Sequence, residues 1–132
     1  MPIPFSVLLV SGNDAVLRPL REALEKIGFE AGVARSCGHA KTMLEGPDSP
    51  ALLFVDAVLP DGRCEEVIGW AARSATPAQA IVIVENVDYD LYLDAMEAGA
   101  ADFVTPPFSA ADIAWVLSSV REKSASLSHL AA

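Results

Sequence analysis

The chain has 132 residues, of which 52% are hydrophobic and 20% charged. That size and composition suit one domain around a single apolar core, and they exclude two large domains and a disordered chain. The net charge of −9 repels nucleic-acid phosphates and anionic lipid head groups, so direct binding to nucleic acid or membrane is not expected. Because no apolar run is long enough to cross a bilayer and no secretory signal is recognisable, we expect a cytoplasmic protein.

Short apolar runs alternate along the chain with longer stretches whose apolar residues recur at helical spacing, which is typical of βα units. Most runs are apolar on both faces, as strands covered by helices on both sides must be. The predicted strands are Val7–Val10, Gly32–Arg35, Leu52–Val55, Ile81–Val84 and Phe103–Val104. The pattern predicts an α/β fold with an open, doubly wound parallel sheet, in which ligands bind at the carboxyl ends of the strands.

Apolar stripes and end signals predict the helices. The first helix ends at Gly28, which puts Pro19 in or near its first turn. The second extends from about Cys37 to Leu44 with Ser36 as N-cap, and the fourth begins after Asp88. The third and fifth helices are marked by apolar residues at Val67, Ile68, Ala71, Ile113, Val116, Leu117 and Val120.

Residues 1–123 are expected to form the domain, and residues 124–132 a tail or the beginning of a linker. Cys37 and Cys64 have no metal-ligand spacing, so we expect reduced thiols that pack as small apolar side chains. The two histidines are far apart and have no metal partner at a recognisable spacing.

Asp56 directly follows a buried apolar run, so its carboxylate should emerge at the functional edge of the sheet. A turn or N-cap aspartate ahead of Pro60, Asp61 and Gly62 is the competing interpretation. The segment 11–14 after the first strand also permits a phosphate-binding loop of a flavin or nucleotide site, although the glycine spacing and lysine of such loops are missing.

The segment 53–62, LFVDAVLPDG, resembles the phospho-acceptor segment of response-regulator receiver domains, the CheY-like family. In that family a proline stands four positions after the aspartate, as Pro60 does after Asp56. Segments 23–29 (ALEKIGF), 95–100 (AMEAGA) and 102–108 (DFVTPPF) agree with that family in order and spacing. The resemblance implies a three-layer flavodoxin-like fold with strand order 2-1-3-4-5. It also implies transfer of a phosphoryl group from a histidine kinase to an aspartate, aided by magnesium, a hydroxyl and a lysine.

The resemblance assigns the phospho-acceptor to Asp56. The two acidic residues that hold magnesium fall on Ser11 and Gly12, which provide no carboxylate. The hydroxyl position falls on Val84 and its small neighbour on Glu85, whose negative charge should hinder ionisation of the acceptor and the approach of phosphate.

The lysine position falls on Pro106, which has neither charge nor donor. These replacements predict an atypical receiver that signals by binding proteins and is not an enzyme. No cofactor is expected, and magnesium only if Asp56 is phosphorylated. One alternative keeps Asp56 as a working acceptor that also hydrolyses its phosphate, with Asp14 and either Asp61 or Glu85 recruiting magnesium. Flavin or nucleotide binding is the other alternative.

In the family, the fourth helix, fifth strand and fifth helix usually form the signalling face. The predicted outward residues on this face are Tyr89, Tyr92, Met96 and Trp115, although a tryptophan lying flat on its neighbours is an equally simple interpretation. The expected partner is another protein or a second copy of the chain, and a histidine kinase or an output domain would fit. Phe103 occupies the family's aromatic switch position, where we expect one fixed rotamer. By the same resemblance the Pro106–Pro107 bond is expected to be cis.

Overall fold

A computed structural model describes residues 7–46, 50–74, 77–85 and 89–131, without the side chains of Tyr89 and residues 121–131. The strands are β1 (Val7–Val10), β2 (Ala31–Ala34), β3 (Leu52–Asp56), β4 (Val58–Leu59), β5 (Gly62–Arg63), β6 (Gln79–Ile83) and β7 (Asp102–Val104). The helices are α1 (Asp14–Lys26), α2 (Cys37–Glu45), α3 (Cys64–Arg73), α4 (Tyr89–Ala98) and α5 (Ala110–Ala131).

Five parallel strands form one sheet in the order β2-β1-β3-β6-β7. β6 and β7 are the predicted fourth and fifth strands, so this arrangement confirms the predicted doubly wound fold and its strand order 2-1-3-4-5. One core lies between the sheet and the helices α1 and α5, and the other lies between the sheet and α2, α3 and α4. Alternate residues of β1 enter opposite cores, Leu8 one and Leu9 the other, which explains why the strand is apolar throughout.

The strand ends differ from the prediction by one or two residues. β6 begins earlier, at Gln79, because its N–H donates to the carbonyl of Ala51 at 3.1 Å. Val84 lies just beyond β6, although its N–H still donates to Val104. Beside the sheet, β4 and β5 form an antiparallel hairpin that was not predicted, since two-residue strands are too short to show a period.

Pro19 is the sixth residue of α1, so the prediction that it lies in or near the first turn was wrong. The helix begins early because the side chain of Asn13 accepts a hydrogen bond from the N–H of Ala15 at 2.9 Å and caps it. Pro19 leaves the carbonyl of Ala15 without its helical partner. Both residues are exposed, so water can satisfy that carbonyl.

The other end signals are confirmed. Ser36 caps α2, and Gly28 and Gly99 have the positive φ angles expected after α1 and α4. The Pro106–Pro107 bond is cis, as predicted. α5 extends to Ala131, so residues 124–131 are helical in their backbone. This stretch has no glycine or proline to end the helix, and the division at residue 123 stays a prediction.

Both cysteines are free and buried, in line with the expected reduced thiols. Burial raises the pKa of Cys37 to about 11 and that of Cys64 to about 12, so both thiols are protonated at neutral pH. Within the described ranges, no helix combines the length and apolar character needed to cross a membrane.

Candidate functional site

Asp56 ends β3, a central strand of the sheet, and its side chain is half-buried at the carboxyl edge. The hydroxyl of Ser11 donates to Asp56 Oδ2 at 3.0 Å. Ser11 is completely buried, and its Oγ also accepts a hydrogen bond from the N–H of Asn13 at 3.0 Å. Ser11 therefore does not provide a metal ligand but orients the aspartate.

Asn13 connects this cluster to the end of β6. Its side-chain oxygen caps α1, and its Nδ2 donates to Glu85 Oε1 at 3.3 Å. Burial raises the pKa of the Asp56 carboxyl; the hydrogen bond from Ser11 opposes this shift, and the negative charge of Glu85 adds to it. The negative charge of Glu85 acts in the predicted direction, and its effect on ionisation of Asp56 stays a prediction.

The loop 11–14 and the first turn of α1 each use an N–H group in a local hydrogen bond. The N–H of Asn13 bonds to Ser11 Oγ, and the N–H of Ala15 bonds to Asn13 Oδ1. These groups are the ones a phosphate-binding loop would need to present to its ligand. The contacts give no support to a flavin or nucleotide site at this loop.

An open groove of about 540 Å³ lies over Asp56. Its lining is mostly apolar, and it contains Gly12, Asn13, Asp56, Ala57, Val58, Leu59, Pro60, Ile83, Val84, Glu85 and Leu91. The predicted pocket positions Gly12, Val84 and Glu85 therefore meet at this groove. Ser11 lies beneath it and Pro106 does not line it. The part of the lining that the structure describes contains no lysine, arginine or histidine.

Gly12 is packed closely against the β4–β5 hairpin. A Cβ atom on Gly12 would lie 2.9 Å from Cγ of Pro60 and 3.3 Å from the carbonyl oxygen of Arg35. Real Cβ atoms essentially never approach other atoms to within 3.0 Å. The position thus lacks a carboxylate and also lacks the space for one unless Pro60 moves.

Two of the acids weighed as substitute metal ligands, Asp14 and Asp61, have partners elsewhere, whereas Glu85 lines the groove. Asp14 pairs with Arg35, and neither residue lines the groove. Asp61 accepts hydrogen bonds from the N–H groups of Cys37 and Gly38, and these bonds lower the pKa of its carboxyl. It thereby holds the hairpin to the first turn of α2. No group of three histidine, cysteine, aspartate or glutamate side chains suitable for a metal occurs among the described residues.

The predicted signalling face is exposed where it is described. Tyr92 is 43% exposed, Met96 46% and Trp115 69%. The ring of Phe103 is partly buried and stacks against Tyr92, with ring centroids 4.5 Å apart. The side chain of Tyr89 lies outside the described residues, and the single rotamer of Phe103 stays a prediction.

The comparisons with known proteins agree with this geometry. The photosynthetic apparatus regulatory protein RegA of Rhodobacter capsulatus is 32% identical over 108 residues, which are 82% of this chain and 58% of RegA. The alginate biosynthesis transcriptional regulatory protein AlgB of Pseudomonas putida is 30% identical over 103 residues, 78% of this chain and 23% of AlgB. A CheY-like response-regulator receiver domain protein from Methanospirillum hungatei superposes with a TM-score of 0.76 at 22% identity, covering 92% of this chain and 94% of that one.

The chain belongs to the response-regulator receiver family. No protein-family model matches it. The chain spans less than two thirds of the length of the curated relatives it matches, so it corresponds to the receiver part of such regulators.

The resemblance to the receiver family implies a magnesium ion beside the acceptor aspartate. The residues present here do not fit that ion. The two positions after β1 that carry acidic residues in the family are occupied here by the hydroxyl of Ser11 and by Gly12, which has no side chain. Magnesium prefers carboxylate oxygens in a strict octahedral geometry. Among the described residues, Asp56 and Glu85 are those that contribute carboxylates to the groove.

The contacts of Ser11, Asn13 and Pro60 were not predicted from the sequence. Asn13 directly before a helix is an N-cap signal that could have been recognised. The bond between Ser11 and Asp56 joins residues 45 positions apart, and it depends on the register of two strands. The contact of Pro60 with Gly12 depends in the same way on the path of the hairpin.

Replacing Asp56 by asparagine is expected to raise the free energy of unfolding of this receiver at neutral pH. The raised pKa of Asp56 means that its carboxyl group binds a proton more tightly in the folded state than in the unfolded chain. Stability therefore falls as the pH rises from the unfolded value of 3.8 through the folded pKa, and it stays lowered above it. Asparagine removes this loss and keeps an oxygen for the hydroxyl of Ser11.

Urea denaturation at about pH 7 and about pH 3 measures the effect, which should be confined to the higher pH. Asp14→Asn is the matched control, since it removes a carboxylate whose ion pair is exposed and contributes little. A gain of equal size at both pH values would contradict the explanation.

Proposed function

We propose that this receiver transmits signals by binding a protein partner in the cytoplasm, and that Asp56 does not accept a phosphoryl group efficiently. The observation that supports this most is the charge around Asp56. Its only side-chain hydrogen bond among the described residues comes from the neutral Ser11, and the other charge lining the groove is the negative Glu85.

Phosphoryl transfer places a dianion beside the acceptor, and preorganised positive charge normally stabilises it. The described residues of the groove walls supply no cation, and Asn13 provides the only side-chain amide among these residues. Glu85 would repel the incoming group. We expect both slow transfer and a short-lived product, so the domain works without resident magnesium and without enzymatic turnover.

Acetyl phosphate with magnesium tests the proposal. We expect intact mass spectrometry to detect no phosphate adduct, because no positive charge offsets the phosphoryl group. A receiver that retains both acids, the hydroxyl and the lysine serves as the positive control. A magnesium-dependent adduct that disappears in Asp56→Asn would overturn the proposal and establish a working phospho-acceptor.

The partner surface that we propose is formed by α4, β7 and α5. Tyr92, Leu93 and Met96 are exposed apolar side chains on α4, and Trp115 is exposed on α5. Aromatic side chains that become buried at the centre of an interface carry much of the binding energy. Relatives that are regulators make a histidine kinase, an output domain or a second copy suitable partners.

Self-association through this face gives a direct prediction. Trp115→Ser should weaken a dimer about tenfold or more, the loss expected for an aromatic anchor. Sedimentation velocity over a range of concentrations measures it. Val58→Ser is the matched control, since Val58 is 63% exposed but lies at the groove. A chain that stays monomeric at every concentration would exclude self-association and leave this face to a different protein.

A further inference from the structure

We propose that the groove over Asp56 binds an arginine side chain of a partner protein. The inference rests on the proposed function, because a phosphorylated Asp56 would need the same space. It adds a second contact area at the carboxyl edge of the sheet, which borders α4 through Leu91.

The shape of the groove suits a long side chain with an apolar stem. Val58, Pro60 and Leu91 supply apolar lining. Val58 is 63% exposed, although a valine normally gains by burial. The alkyl stem of an arginine packed against Val58 would cover this surface while its head reaches the floor of the groove.

The charge of the groove selects a cation. Asp56 and Glu85 both line it, and no basic side chain in the described parts of the chain does. A neutral apolar group would bury these carboxylates without a partner, which costs free energy. A phosphate would be repelled by the two carboxylates. A cationic head pairs with the carboxylates and avoids each of these costs.

Guanidinium fits this environment better than ammonium does. It is more weakly hydrated, so it loses less when it enters a mostly apolar groove, and its planar fork can pair with a carboxylate through two parallel hydrogen bonds. Asp56 is held in place for such a pair by the buried Ser11 at 3.0 Å. Glu85 is held in turn by Asn13 at 3.3 Å.

Titration of the ¹⁵N-labelled chain with butylguanidinium tests the inference. We expect saturable chemical-shift changes at the amides of Asn13, Ala57 and Val58, and none with butylurea, a neutral analogue of similar shape. Asp56→Asn and Glu85→Gln should each weaken binding about tenfold or more. Asp14→Asn should leave it unchanged, because its ion pair with Arg35 lies outside the groove.

Absence of saturable shifts, or equal binding to Asp56→Asn, would overturn the inference. Equal or tighter binding of butylammonium would overturn the choice of arginine in favour of lysine. The proposed function fails through a different readout, the phosphate adduct on Asp56, so the two failures are distinguishable.

Discussion

Phe54→Ala is expected to lower the free energy of unfolding by about 3–5 kcal/mol. Phe54 is completely buried in β3, a strand with neighbours on both sides, and it packs in the core that α1 and α5 cover. Its removal leaves a cavity between two rigid layers that can close only in part. Urea denaturation measures the change, which should appear in the midpoint with little change in slope.

Trp115→Ala is the control for this experiment. It removes a larger aromatic ring, but that ring is 69% exposed on α5. Its cost should stay within about 0.5 kcal/mol, as for other exposed substitutions. If the two substitutions cost the same, the packing of the central strand described above would be wrong.

The second large effect is expected from restoring an acid after β1. Gly12→Asp should lower the free energy of unfolding by about 1–3 kcal/mol, because its Cβ would overlap Pro60 and force the hairpin outward. The new carboxylate would also face Asp56 and Glu85 across the same groove. Added magnesium should not recover the loss, since the donors do not reach the geometry the ion requires.

Pro60→Ala combined with Gly12→Asp provides the matched comparison. The ring that blocks the Cβ is removed, so the double variant should lose less than the two single variants together. Thermal unfolding with and without magnesium chloride measures both effects. A Gly12→Asp variant that is as stable as the original chain, or that magnesium stabilises, would show that Pro60 does not restrict this position.

The sequence was sufficient for the fold because its main signals are local. Strands such as β3 are apolar on both faces, and glycines such as Gly28 end helices in a conformation that other residues avoid. Pro19 was misplaced because proline favours the first turn, while the cap at Asn13 set the start of α1 earlier. Local preference here was weaker than the hydrogen bonds of the cap.

The site was predictable in position and less so in its contacts. Asp56 and Glu85 follow neighbouring strands, so their proximity followed from the strand order. The role of Ser11 did not follow, because a serine in place of an acid indicates a lost ligand and says nothing about a new hydrogen bond. The exposure of Tyr92 and Trp115 came from helical spacing alone.

Asp56 and Asp61 lie five residues apart, and their carboxyl groups respond to acid in opposite directions. The pKa of Asp61 is lowered by its bonds to the start of α2, so its contribution is present above pH 3.8 and is lost as the pH falls through its folded pKa. Protonation of Asp56 restores stability, and it does so over a pH range that lies above the range in which Asp61 is protonated, because the pKa of Asp56 is raised. As the pH falls, protonation of Asp56 should first raise the free energy of unfolding. Protonation of Asp61 in stronger acid should then lower it, because the hairpin loses its bonds to α2. The free energy of unfolding that these two groups contribute should therefore be highest in weakly acidic solution.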